Sequence, residues 1–286
     1  MCLSITKSPN HEMVRCSLGQ NPLPLYFVEE LNLIPYIHLG PFTIGSFGLL
    51  MLLAFVAAYL VLRADVRRRG LAVDAQNVIT ISALLGIAGA KIYHVLESPS
   101  DLVADPIGEI FSRSGFAWFG GLVGVLLALF LLARKYKLPY LGMLDVCAPA
   151  AALGYAVGRI GCLTSGDGDY GTPTSLPWGM SFPNGLVPTT QHVHPTPIYE
   201  AVVATIIFWY LWREGAKPRP VGQVAALYLI WMGAERFLVE FIRINPRSFF
   251  GLSNAQTASL ASMLVGAVIL ARSTRSGSET SIENSP

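Results

Sequence analysis

Residues 158–171 read Gly158-Arg159-Ile160-Gly161-Cys162-Leu163-Thr164-Ser165-Gly166-Asp167-Gly168-Asp169-Tyr170-Gly171. An apolar segment of helix length runs into them, and a single arginine stands where it gives way to a glycine-rich polar loop. A cation at the end of a hydrophobic span is costly to place in lipid, so it is either a snorkelling anchor or a site for an anion. The planar guanidinium between Gly158 and Gly161 suits bidentate binding of a phosphate. The glycines also have a plainer reading. Gly154 and Gly158 here, like Gly120 and Gly124 on an earlier segment, have the small-xxx-small spacing that lets two helices approach closely.

The same kind of apolar segment recurs along the chain. Of 286 residues 52% are hydrophobic and 13% charged, mean hydropathy is +0.50, and the apolar residues come in long runs. That pattern predicts a polytopic membrane protein. A spanning helix needs about 20 apolar residues, and segments of that kind begin near Thr43, Asn77, Gly115, Gly142, Pro195, Gly222 and Asn254. The expected fold is all-α, a bundle of seven transmembrane helices over residues 35–272. It is preceded by an extension (1–34) expected to be disordered and followed by a cytoplasmic tail (273–286).

Charge placement orients the bundle. The clusters at Arg63 to Arg69, Arg134 to Lys137, Arg213 to Arg219 and Arg272 to Arg275 hold 12 of the 20 Lys and Arg. The opposite side has Lys7, Arg15, Arg113, Arg243 and Arg247. The positive-inside rule then puts the N-terminus outside and the C-terminus in the cytoplasm. The segment from Leu163 to Val193, long, rich in Pro and Gly and without Lys or Arg, becomes an external loop, read as a lid or recognition element.

Three basic residues remain inside the spans: Lys91, Arg159 and Arg236. All three fall in the outer part of the membrane, Arg236 roughly 8 Å below the end of its span at a rise of about 1.5 Å per residue. This shared depth argues for a common site. Arg236, Glu240 and Arg243 follow at i, i+4 and i+7 on one face of the sixth helix. An intrahelical Arg236–Glu240 pair that simply neutralises two charges is the competing reading. His194-Pro195-Thr196-Pro197-Ile198-Tyr199-Glu200 opens the fifth helix, with Thr196 as cap, Pro197 at the first helical position and Glu200 suited to the dipole. His194 and Tyr199 can line the same outer site.

Several function classes drop out. A net charge of +2 spread over short clusters makes no nucleic-acid surface. Cys2, Cys16, Cys147 and Cys162 form no CxxC pair. Asp167-Gly168-Asp169 resembles the start of a calcium loop, but position twelve is Trp178 rather than Glu. His192 and His194 lack a third ligand by spacing, so no metal or other cofactor is expected.

Taken together, Gly158-Arg159-Ile160-Gly161 with its Gly-Asp loop, Phe119-Gly120-Gly121-Leu122-Val123-Gly124, the His194 to Glu200 motif and Arg236 to Arg243 resemble the prolipoprotein diacylglyceryl transferases over residues 35 to 272. The resemblance implies seven spans in a bacterial inner membrane, with the N-terminus outside. It also implies transfer of a diacylglyceryl group from phosphatidylglycerol to the lipobox cysteine thiol in a prolipoprotein signal peptide, releasing glycerol phosphate. Arg159 and Arg236 match the family's essential arginines and would clamp the departing phosphate, with Glu240 orienting Arg236 or contacting the glycerol headgroup. His194 joins them as a catalytic residue. Lys91, His94, Gly120, Gly121, Ser165, Asp167, Tyr199, Glu200 and Arg243 are expected to line the substrate site. The sequence departs from the family at Phe119, Cys162, Lys91 and His94, which stand for its usual His, Asn, Arg and Tyr. Since Phe119 cannot take a proton, His94, His194 or water would have to. A non-catalytic phospholipid-binding or transport protein on the same scaffold is the alternative reading.

Overall fold

The computed structural model describes residues 35–40, 42–97 and 117–283, with 99, 102, 105, 107 and 108 between the last two stretches. The N-terminal extension, with Cys2 and Cys16, as well as Arg113 and Gly115, lies outside the described residues. Seven long helices are found among them: α1 (Ser46–Arg68), α2 (Ala75–Glu97), α3 (Trp118–Lys135), α4 (Tyr140–Ser165), α5 (Thr196–Glu214), α6 (Gln223–Val239) and α7 (Asn254–Glu283). Five of them, α1 to α4 and α7 over Asn254–Thr274, are long and apolar enough to cross a membrane. Large apolar side chains such as Leu52, Leu60, Val123, Leu131, Ile206 and Leu264 stand exposed on the helix surfaces. An apolar exterior of this extent suits a lipid solvent, and the chain is a multi-pass helical membrane protein.

Residues 69–74, 136–139 and 215–222 make tight connections at one end of the bundle. There Asp74 Oδ1 accepts the Gln76 N–H at 2.9 Å and so caps α2. Asp145, on the first turns of α4, reaches across to α6 and accepts the N–H groups of Gly222 (2.6 Å) and Ala225 (2.7 Å). Asp65, fully buried, pairs with Arg68 and Arg69, and Arg68 stacks on Trp212 at 3.8 Å. This end is therefore more polar inside than the near-uniform apolar runs suggest.

Helix packing accounts for the first group of glycines. A Cβ on Gly120 would lie 2.3 Å from Gly89 O, and one on Gly124 would lie 2.1 Å from Leu85 O, both backbone atoms of α2. Gly121 meets the Ala90 Cβ position and Gly86 O at 3.5 Å. Gly120 and Gly124 let α2 and α3 approach backbone to backbone, while Gly121 beside them is in ordinary contact with α2. Gly158 differs, since nothing lies within 4 Å of its Cβ position. Gly124→Ala must push α2 and α3 apart, and overpacking of this kind costs about 1–3 kcal/mol. The expected result is a melting temperature several degrees lower in detergent; a wild-type melt would show that the contact is not needed.

At the other end the connections carry small sheets. An antiparallel pair, β1 (Tyr36–Leu39) and β2 (Phe42–Gly45), leads into α1. β3 (Met180–Phe182) and β4 (Thr189–Val193) pair inside the long α4–α5 connection, and β5 (Arg247–Phe249) and β6 (Leu252–Ser253) pair before α7. The α4–α5 connection has its own small core of Leu163, Tyr170, Met180, Phe182 and Val193, with the Tyr170 and Phe182 rings stacked at 5.2 Å. The segment read as a lid or recognition loop is a folded cap over the ends of α4 and α5.

Candidate active site

The cap and the helix ends beneath it enclose a network of three guanidinium groups and three carboxylates. Glu200, on α5 and 0% exposed, is at its centre. Its Oε1 faces Arg159 Nη2 (3.2 Å) from α4 and Arg236 Nη1 (3.2 Å) from α6, and its Oε2 faces Arg243 Nη1 (3.3 Å). Tyr155 donates its hydroxyl to Glu200 Oε1 at 2.8 Å, and the Arg159 guanidinium lies over the Tyr155 ring at 4.9 Å. Glu240 Oε2 pairs with Arg236 Nη2 at 2.9 Å, while its Oε1 accepts from Asn245 Nδ2 at 2.8 Å. Asp169 completes the network by bridging Arg159 Nη1 and Arg243 Nη2, one carboxylate oxygen on each.

Local structure explains how four segments reach one point. α6 ends at Val239 and tightens into a 3-10 turn over Glu240–Ile242, which turns Arg243 back towards the cluster. Arg236, Glu240 and Arg243 therefore meet by way of that turn and not along one face of a continuous helix. The intrahelical Arg236–Glu240 pair exists, but Arg236 also binds Glu200 across the α5–α6 interface. Thr196 is the first helical residue of α5 and not its cap; its hydroxyl donates to the Asp169 carbonyl. Gly171 N donates to His194 O (2.8 Å) and Gly171 also bridges Arg243, so the cap, the start of α5 and the 3-10 turn are laced together.

Other residues expected at the site fare differently. His194 Nδ1 lies 3.3 Å from the Tyr199 hydroxyl, which accepts the Trp178 indole N–H at 2.8 Å. This trio borders the arginine network through the His194 backbone. Ser165 is buried, with its hydroxyl donating to Gly161 O and Cys162 O of its own helix. Asp167 accepts the Asp169 N–H at 3.2 Å and also hydrogen-bonds to Cys162. Lys91 and His94 sit on α2, the helix packed on α3, and Arg243 joins Arg159 and Arg236 around Glu200. Cys162, Asp167 and Asp169 have ligand atoms within 4.8 Å of one another, but Asp169 is committed to two guanidinium groups that would repel a cation.

Sequence reasoning weighed Asp169 only as a calcium-loop position and missed its role. Three arginines in apolar surroundings require counter-charges, and an acid ten residues past Arg159 was within reach of that argument. Burial works to raise the Asp169 carboxyl, but Arg243 and Arg159 outweigh it and hold it below the usual carboxylate range. Its ion pairs therefore contribute fully above the unfolded value of about 3.9 and are lost only as pH falls through the lower folded one. Glu235, 7% exposed, brings a fourth carboxyl near the three arginines, and among the described residues neither of its oxygens has a hydrogen-bond donor.

Beside the network, α4 and α5 leave an apolar groove of about 380 Å³ lined by Leu153, Ala156, Val157, Ile160, Ile198, Val202 and Ile206 among others. Ile160 and Ala201 of that groove directly follow Arg159 and Glu200 in sequence. A family model described as prolipoprotein diacylglyceryl transferase matches residues 35–272. The chain belongs to that family. The phosphatidylglycerol–prolipoprotein diacylglyceryl transferase of Bordetella avium (strain 197N) is 36% identical over 256 residues, 85% of this chain and 95% of that relative. The same enzyme of Geobacter sulfurreducens is 36% identical over 253 residues, 83% of this chain and 95% of the relative. That of Cupriavidus pinatubonensis (strain JMP 134 / LMG 1197) is 36% identical over 268 residues, 87% and 95% respectively. The family model covers every element of the arginine network, from Arg159 on α4 to Arg243 beyond α6.

Proposed function

We propose that this protein transfers the diacylglyceryl group of phosphatidylglycerol to the lipobox cysteine thiol of a prolipoprotein. The observation that carries the reading is the arginine network beside an apolar groove, in a member of the transferase family. The thiol sulfur attacks the glyceryl carbon that bears the phosphate. An S–C bond forms, the C–O bond to phosphate breaks, and the diester leaves as glycerol phosphate. Charge develops on the leaving phosphate, and preorganised guanidinium donors favour that state over the ground state. The groove between α4 and α5 takes acyl chain.

The proton balance closes without an added reactant, because the thiol gives up one proton and the new phosphate monoester, with a second pKa of about 6, can carry one. His194, oriented by Tyr199, is the acceptor that passes it on, a task Phe119 cannot perform. Glu240 holds Arg236 in place, and Tyr199 with Trp178 shapes the entry for the signal peptide. In this reading all seven helices span the bacterial inner membrane, the basic end faces the cytoplasm, and the folded α4–α5 cap is external.

Incubating the purified protein with labelled phosphatidylglycerol and a lipobox peptide tests this. The expected product is a thioether-linked diacylglyceryl peptide with one glycerol phosphate released per thiol. Lipid binding without alkylation would leave a phospholipid-binding protein on the same scaffold.

A further inference from the structure

One of the three paired carboxylates differs from the others in its freedom. Glu200 and Glu240 have side chains 0% and 1% exposed, so neither has solvent to turn into, and withdrawing Glu200 would loosen all three arginines at once. Asp169 is 32% exposed. Its backbone is pinned, since its carbonyl accepts from Thr196 Oγ1 and its N–H donates to Asp167 Oδ1 at 3.2 Å. Rotation of the side chain alone releases Arg159 Nη1 and Arg243 Nη2 while the loop stays in place. Both guanidinium groups remain anchored meanwhile through their other nitrogens on Glu200.

Resting on the reading above, we propose that the substrate's phosphodiester seats between Arg159 and Arg243, in the position held by the Asp169 carboxylate, and that lipid binds by exchanging with it. Two observations fit. The bridge has one carboxylate oxygen on each arginine, the pattern two non-bridging phosphate oxygens would reproduce. Turning the Asp169 carboxylate away removes one negative charge from between the two arginines, the charge a phosphodiester would bring in its place. Asp169 then has a use beyond holding the loop. It competes for the same donors, weakens binding of the charged product, and helps expel glycerol phosphate when it swings back. This makes Arg243 a phosphate ligand and Asp169 a positioning residue.

The test measures binding of sn-glycerol 1-phosphate to the full-length protein in nanodiscs by calorimetry, with no acceptor peptide present. Hydrogen bonds to charged groups contribute about 1.5–3 kcal/mol, so freeing two donors corresponds to tighter binding by about tenfold or more. D169N should show that gain, with a matching fall in KM for phosphatidylglycerol. D169E, which keeps the competing charge, should stay near wild type, and adding R243Q to D169N should abolish the gain. Unchanged or weaker binding by a normally melting D169N would overturn the exchange. Should D169N fail to fold, R243K decides: binding must weaken about tenfold, and unchanged binding refutes the seat. A protein that binds glycerol phosphate as described but never alkylates a lipobox peptide refutes the proposed function and leaves the exchange standing.

Discussion

Arg159→Ala is expected to lower kcat/KM for thioether formation by at least about 10²–10³-fold, the loss typical of removing one preorganised donor from a developing anion. The variant should still insert and fold. Glu200 keeps Arg236 and Arg243, and Asp169 keeps Arg243, so no acid is left without a cation. The loss therefore falls on the reaction and not on the scaffold. Arg159→Lys should recover little of it. An ammonium is a point charge, whereas the guanidinium uses Nη1 for the Asp169 position and Nη2 for Glu200 simultaneously. Single-turnover rates in nanodiscs, set beside melting curves, separate these effects. A near-wild-type rate for Arg159→Ala would remove the clamp and with it the phosphoester chemistry.

The helices were legible in the sequence because their signal is compositional. Runs beginning near Asn77, Gly142, Pro195 and Gly222 lie within about three residues of the observed α2, α4, α5 and α6 starts, the uncertainty usual at helix ends. The arginines were legible because charge in an apolar run is anomalous. The partners were not. Glu200 has a sufficient local explanation as an acid near a helix start, and its role arises only when α4, α5 and α6 are packed together. Asp169 sits in a loop whose fold depends on the stacking of Tyr170 on Phe182 and on pairing of β3 with β4. Such non-local contacts leave no periodic trace in sequence. Gly120 is a different case, since its small-xxx-small spacing with Gly124 was already legible as a packing motif and the coordinates supply its partner, Gly89. Ser165 likewise carries a polar side chain that its own helix satisfies.

Glu200→Gln should be the most damaging single-atom change in the molecule, affecting both fold and rate. The Oε1 atom receives Tyr155, Arg159 and Arg236, and Oε2 receives Arg243. Glutamine offers one acceptor. If its oxygen keeps the first group, its NH2 points donor to donor at Arg243; if it flips, two arginines and a tyrosine lose their acceptor. Each arginine keeps a second acid, Arg159 and Arg243 on Asp169 and Arg236 on Glu240, but three guanidinium groups then share two carboxylates, and breaking a buried pair from one side costs about 3–5 kcal/mol. One opposing effect is that an extra net positive charge would attract a phospholipid headgroup. It is the smaller effect, because an anion gains little from guanidinium groups no longer held in register. The comparison with Asp169→Asn isolates that point. Both changes remove one negative charge from the same network, but the exposed acid competes with substrate while the buried one aligns the groups that bind it. Asp169→Asn is thus expected to tighten binding of glycerol phosphate and Glu200→Gln to weaken it, with a clearly lower melting temperature only for the latter. Equal behaviour of the two variants would mean that net charge alone governs the site and that the geometry around Glu200 is incidental.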